Sequence, residues 1–110
     1  MKVSSEHIEQ VTFVNWFRNK YPDVLIFAIP NGEYRAISTA VKLKNEGVTK
    51  GIPDLFIPEW KIWIEMKKTK GSSTSKEQKE IKLYLEKVGY KVCIAKGFQE
   101  AINFINLSID

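Results

Sequence analysis

The sequence predicts an α/β domain with a mixed, mostly four-stranded sheet flanked by helices, in the order αβαββαβα. Three observations carry that prediction. Stretches with helical spacing alternate with short β-rich runs, glycine and proline stand at the joints, and two of the runs are separated by only a tight turn. Length agrees: 110 residues with 44% hydrophobic and 27% charged content make one domain, residues 1–110. Such a chain buries roughly two thirds of its unfolded surface.

The first helix is expected from Ser4 or Ser5 to Lys20, with serine at the cap, Glu6 in the first turn and Tyr21-Pro22 as the stop. A strand follows over Val24 to Ile29, ended by Pro30-Asn31-Gly32. Ile37 to Asn45 reads as a short helix closed by Gly47. A strand from Asp54 to Ile57, a turn around Glu59-Trp60-Lys61 and a strand from Ile62 to Lys67 form a hairpin. Ser75-Lys76-Glu77-Gln78 is a capping box that starts a helix running to Gly89, after a Lys- and Ser-rich loop from Lys67 to Ser75. Tyr90 to Ala95 is the last strand, and Phe98 to about Leu107 the last helix.

Composition excludes several classes. No apolar run approaches the ~20 residues of a membrane span, and Met1-Lys2-Val3-Ser4 does not open a signal peptide. A cytoplasmic location is therefore expected, in the host cytoplasm if the chain is phage-encoded. Cys93 and His7 are the single residues of their kinds, which excludes a disulfide framework and a Cys/His zinc site. The net charge of +4 is uneven: Lys42 to Lys96 holds thirteen Lys against seven acids, and the remainder four bases against six acids. A basic segment suits a phosphate-rich partner, although a solvated lysine surface explains the same count.

Polar groups stand where the pattern wants apolar ones. At ~100° per residue with Glu6 at zero, Phe13, Phe17, Tyr21 and Val14 fall between about −20° and +80° and should face the core. Gln10 lies among them at about 40°, and Glu9 at about −60° beside Trp16. An inward carboxylate is costly unless paired, protonated or bound to a cation, whereas a first-turn acid can simply serve the helix dipole. On the strand Ile62 to Lys67, alternation places Trp63, Glu65 and Lys67 on one face. Asp54 stands at the start of the partner strand, and in a suitable register it meets Glu65. Two carboxylates and an ammonium would then converge, a donor set that suits Mg²⁺ or Mn²⁺.

Pro53-Asp54, ten intervening residues, then Glu65-Met66-Lys67 resembles the PD-(D/E)xK nuclease signature. The wider spelling resembles the VRR-NUC (virus-type replication-repair nuclease) family. It comprises Ser5-Glu6-His7 with Gln10, Pro30-Asn31-Gly32 with Arg35, and Lys50-Gly51-Ile52-Pro53-Asp54-Leu55. Gly71 with Ser75 and Gln78, and then Gly89-Tyr90, complete it. The ordered set covers roughly residues 4 to 105, and it is similar to a stand-alone, phage-type member.

The resemblance implies a restriction-endonuclease-like core and a metal-dependent phosphodiesterase that leaves a 5′-phosphate. It implies Asp54, Glu65 and the Met66 backbone carbonyl as ligands of Mg²⁺ or Mn²⁺, with Glu6 completing the cluster directly or through water and Glu9 as its competitor. Lys67 would orient or activate the attacking water, and Gln78 would support the site. Arg35, Lys50, Lys68, Lys70, Ser75 and Lys76, with Lys79 and Lys82 nearby, would meet the nucleic-acid backbone. Stand-alone members resemble junction-resolving homodimers, so branched or Holliday-junction DNA is the expected substrate. His7 reads as a surface residue and Cys93 as a small buried one. Two other readings fit the same residues: a non-catalytic nucleic-acid-binding or assembly module, and a nuclease of flap or duplex DNA.

Overall fold

The computed structural model describes residues 3–30 and 37–109. Helix α1 spans Glu6–Lys20, and the Ser5 hydroxyl caps it by accepting from the Ile8 N–H at 3.1 Å. Strand β1 is Phe27–Ala28, shorter than the expected Val24 to Ile29. The chain before Phe27 is bonded elsewhere: Val24 N–H donates to the Tyr21 carbonyl at 3.1 Å, and Arg18 Nη2 donates to the Ile26 carbonyl at 3.3 Å. The strand stop is described only as far as Pro30, and Asn31, Gly32 and Arg35 lie outside the described residues.

Helix α2 is Ile37–Asn45, closed at Gly47 as expected. Strands β2 (Leu55–Ile57) and β3 (Ile62–Lys67) flank a 3₁₀ turn at Pro58–Trp60. Helix α3 is Lys76–Lys87 with both bonds of the capping box formed, strand β4 is Lys91–Lys96 and helix α4 is Phe98–Ser108.

The four strands lie in the order β1-β2-β3-β4. The first two pairs are antiparallel, while β3 and β4 are parallel because α3 carries the chain back across the sheet. The α/β class and the mixed four-stranded sheet are those the sequence predicts. Phe13 and Phe17 of α1, with Ala101 and Ile105 of α4, join Leu55, Ile57, Ile62, Ile64, Met66 and Ala95 in one core. Each large apolar side chain buried this way contributes roughly 1.5–3 kcal/mol. On the opposite strand parity, Phe56 stacks on Trp63 with ring centroids 4.1 Å apart, between Phe27 and Tyr90. Glu65 and Lys67 continue that face toward α3. Among the described residues, no helix is long and apolar enough to cross a membrane.

Candidate metal centre

The site is assembled by the β2–β3 register. Leu55 pairs with Ile64, so one more step along both strands brings Asp54 to Glu65. Toward β3 Asp54 uses its side chain in place of the ladder, Oδ2 accepting the Met66 N–H at 2.8 Å, while its carbonyl accepts the Ile29 N–H at 2.8 Å on the other side. An extended residue sends its N–H and C=O to the same side, so the Met66 carbonyl also faces the Asp54 edge. The loop before Asp54 is fixed by Gly51, at φ +90°, where an added Cβ would stand 2.6 Å from the Glu77 backbone at the start of α3. Only glycine tolerates both that conformation and that approach.

Glu6, at the first position of α1, completes the cluster. One carboxylate oxygen from each of Glu6, Asp54 and Glu65 lies within 4.8 Å of the others. Glu9, three residues on, goes elsewhere. It is 5% exposed, and its Oε1 accepts the Phe98 N–H at 2.8 Å, which caps α4 where Gly97 offers no side chain. The structure thus separates two acids that the sequence left in competition.

Glu65 and Lys67 are 5% and 9% exposed. Gln78 joins them: its Nε2 donates to Glu65 Oε2 at 3.0 Å, and its Oε1 accepts from Lys67 Nζ at 2.9 Å. The same Oε1 accepts the Ser75 N–H at 3.0 Å, so one amide both caps α3 and organises the site. Lys67 Nζ stands 3.9 Å from Glu65 Oε2. Glu65 Oε1 is fully buried with no hydrogen-bond partner among the described residues.

That orphaned oxygen has an electrostatic counterpart. Burial foremost, then the charge of Asp54 and a hydrogen bond with it, push the Glu65 carboxyl up to about 9 from 4.5. Glu6 pushes the same way and Lys67 opposes. A hydrogen bond between two carboxyl groups needs a proton on one of them, and the raised Glu65 carboxyl is the one placed to carry it. A hard cation relieves all three conditions: it replaces the proton, neutralises the cluster and gives Oε1 a partner. The residues present fit such an ion.

The residues expected to meet nucleic acid are more dispersed. Lys50 is exposed beside Gly51, Lys68 is half-buried after β3, and Lys70 and Lys76 are exposed. The Ser75 hydroxyl accepts the Gln78 N–H at 3.1 Å, and Lys76 lies 3.9 Å from Glu80. Lys82 Nζ pairs with Glu86 at 2.9 Å on the same helix. Arg35 is outside the described residues. His7 is exposed. Cys93 is half-buried, its thiol pushed up to about 11 chiefly by burial, which leaves it protonated and a poor nucleophile. Sequence reading did not anticipate the Gly51–Glu77 approach. The signal was a glycine just before Ile52-Pro53, but nothing local says what it must avoid.

No protein-family model matches the chain, and no curated protein does. Among solved structures, one described as a VRR_NUC domain protein is similar over 99% of this chain and 91% of that one, with a TM-score of 0.79 and 28% sequence identity.

Proposed function

The chain is a VRR-NUC-type domain with a nuclease-type fold, and on that premise we propose that it is a divalent-metal-dependent, structure-selective DNA endonuclease. The observation that carries the reading is the convergence of Glu6, Asp54 and Glu65 within 4.8 Å beside the buried Lys67. Asp54 and Glu65 would hold Mg²⁺ or Mn²⁺, with the Met66 carbonyl and Glu6 completing the set. When bound, the cation supplies positive charge for the phosphodiester and acidity for water. Everything else comes from the chain. Gln78 holds the Lys67 ammonium in place, so its charge is fixed before substrate arrives and costs no reorganisation. The same amide orients Glu65 through Oε2, which fixes the carboxylate in the cluster and leaves Oε1 without a partner among the described residues.

Lys50, Lys68, Lys70 and Lys76 supply sequence-independent attraction to the backbone, and Arg35 is assigned to the same role from the motif. Holliday-junction resolution by a homodimer is the preferred form of the activity, since one domain carries one site and a junction needs two symmetric incisions. The test is a cleavage panel of four-way junction, flap and plain duplex, with Mg²⁺, Mn²⁺ or chelator. The reading expects metal-dependent cutting, strongest on the junction, with 5′-phosphate products. Glu65→Ala should abolish cutting while DNA binding survives. Binding without any cutting in either metal would favour a non-catalytic module, and equal cutting of all three substrates would remove the junction preference.

A further inference from the structure

Helix α1 divides its surface three ways. Phe13 and Phe17 enter the core, Glu9 reaches the start of α4, and a third stripe carries His7, Gln10, Val14, Asn15 and Arg18. Those positions follow helical spacing, so they form one continuous face. With the sheet edge at Ile26 and Phe27, that face walls a groove of about 290 Å³.

Its position and chemistry are specific. His7 and Leu55, the chain neighbours of Glu6 and Asp54, both line the groove, so one end lies one residue along the chain from the carboxylate cluster. The other end is Arg18, about 16 Å away at ~1.5 Å per helical residue. Arg18 Nη2 donates to the Ile26 carbonyl at 3.3 Å, which anchors the guanidinium and leaves other N–H donors for a ligand. The amides of Gln10 and Asn15 lie between the two ends, above an apolar floor that includes Val14 and Leu55. No carboxylate is among the described lining residues. The volume sits at the small-ligand end of pocket sizes, room for about one nucleotide of a single strand and not for a duplex.

We propose that this groove holds an unpaired strand of the nucleic-acid substrate as it leaves the metal centre, with Arg18 gripping a backbone phosphate; the proposal rests on the nuclease reading. Sugar and base faces lie on the apolar floor, while Gln10 and Asn15 bond to whatever polar edges face them. Substrates with an unpaired or splayed strand beside the cleavage point therefore gain contacts that a plain duplex lacks.

The test is fluorescence anisotropy in chelator, using a labelled single-stranded oligonucleotide and a labelled blunt duplex. Arg18→Gln is expected to weaken single-strand binding about tenfold and to lower the slope of log Kd against log salt by about one. Asn15→Glu leaves the Arg18–Ile26 bond alone, and it should weaken the same binding through repulsion of phosphate. Duplex binding should stay near its wild-type value in both, and thermal melts confirm that both variants are folded. Unchanged single-strand binding in the folded variants, or an equal loss on duplex, overturns the proposal. Hydrolysis of bis-para-nitrophenyl phosphate with Mn²⁺ reports on the metal centre alone and should be retained in both variants. Its absence from the wild type would overturn the nuclease reading instead, and the chelator-based binding result would still decide the groove.

Discussion

Raising the metal-free protein from about pH 5.5 to about pH 7.5 is expected to lower its melting temperature, with Glu65 as the cause. Burial, reinforced by the charge of Asp54, holds its carboxyl proton up to about 9 against 4.5. Between those values the folded chain keeps a proton that the unfolded chain has released, so stability declines with rising pH. The contribution is full below about 4.5 and gone above about 9. Each unit inside the window removes on the order of 1 kcal/mol, so two units amount to about 2–3 kcal/mol. For a domain of this size that is a fall on the order of 10 °C. The assay is a thermal melt in chelator across the window, with Glu65→Gln as the reference. The amide carries no titrating proton, so this variant should lack the decline and outlast the wild type at about pH 7.5. Adding Mg²⁺ or Mn²⁺ should stabilise the wild type more at the higher pH, where the ion competes with fewer protons, and should not rescue the variant. A wild-type melting curve that tracks Glu65→Gln across the window would refute the reasoning.

Four further substitutions separate roles that lie close together. Gln78→Ala removes the partner of both Lys67 and Glu65 and should cost about 10- to 100-fold in activity or metal affinity, read by kinetics at varied Mn²⁺. Gly51→Ala forces a Cβ to 2.6 Å from the Glu77 backbone at positive φ, and urea unfolding should show a loss of about 2–4 kcal/mol. Glu9→Ala deletes the buried cap of α4 and should lower stability by about 1–2 kcal/mol in chelator as well as in metal. Glu6→Ala should do the reverse: it removes a negative neighbour of Glu65, leaves the chelator melt intact and reduces the stabilisation that Mn²⁺ confers.

Much of the fold was legible because its signals are local. Ser75 and Gln78 name their own capping box, and the short turn after Ile57 commits β2 and β3 to a hairpin. Once they are paired, the spacing from Asp54 to Glu65 leaves little freedom in where the two acids meet. The first strand is shorter than its β-propensity suggests because Ile26 spends its carbonyl on Arg18, a side chain from the preceding helix that propensity does not register.

The sequence alone determined the class of the domain, the order of its elements and the residue types able to bind a hard cation. All of these follow from periodicity, capping and spacing within a few residues. Tertiary structure alone decided between Glu6 and Glu9, which sit on neighbouring faces of one helix. Glu9 is claimed by a backbone N–H 89 positions away, at the start of α4, and Glu6 is left for the cluster. It also placed Gly51 against α3 and opened the groove along α1. The physical reason is common to all three. Each depends on how closely two elements distant in sequence approach, and that distance is set by packing of the core, not by the residues at either point of contact.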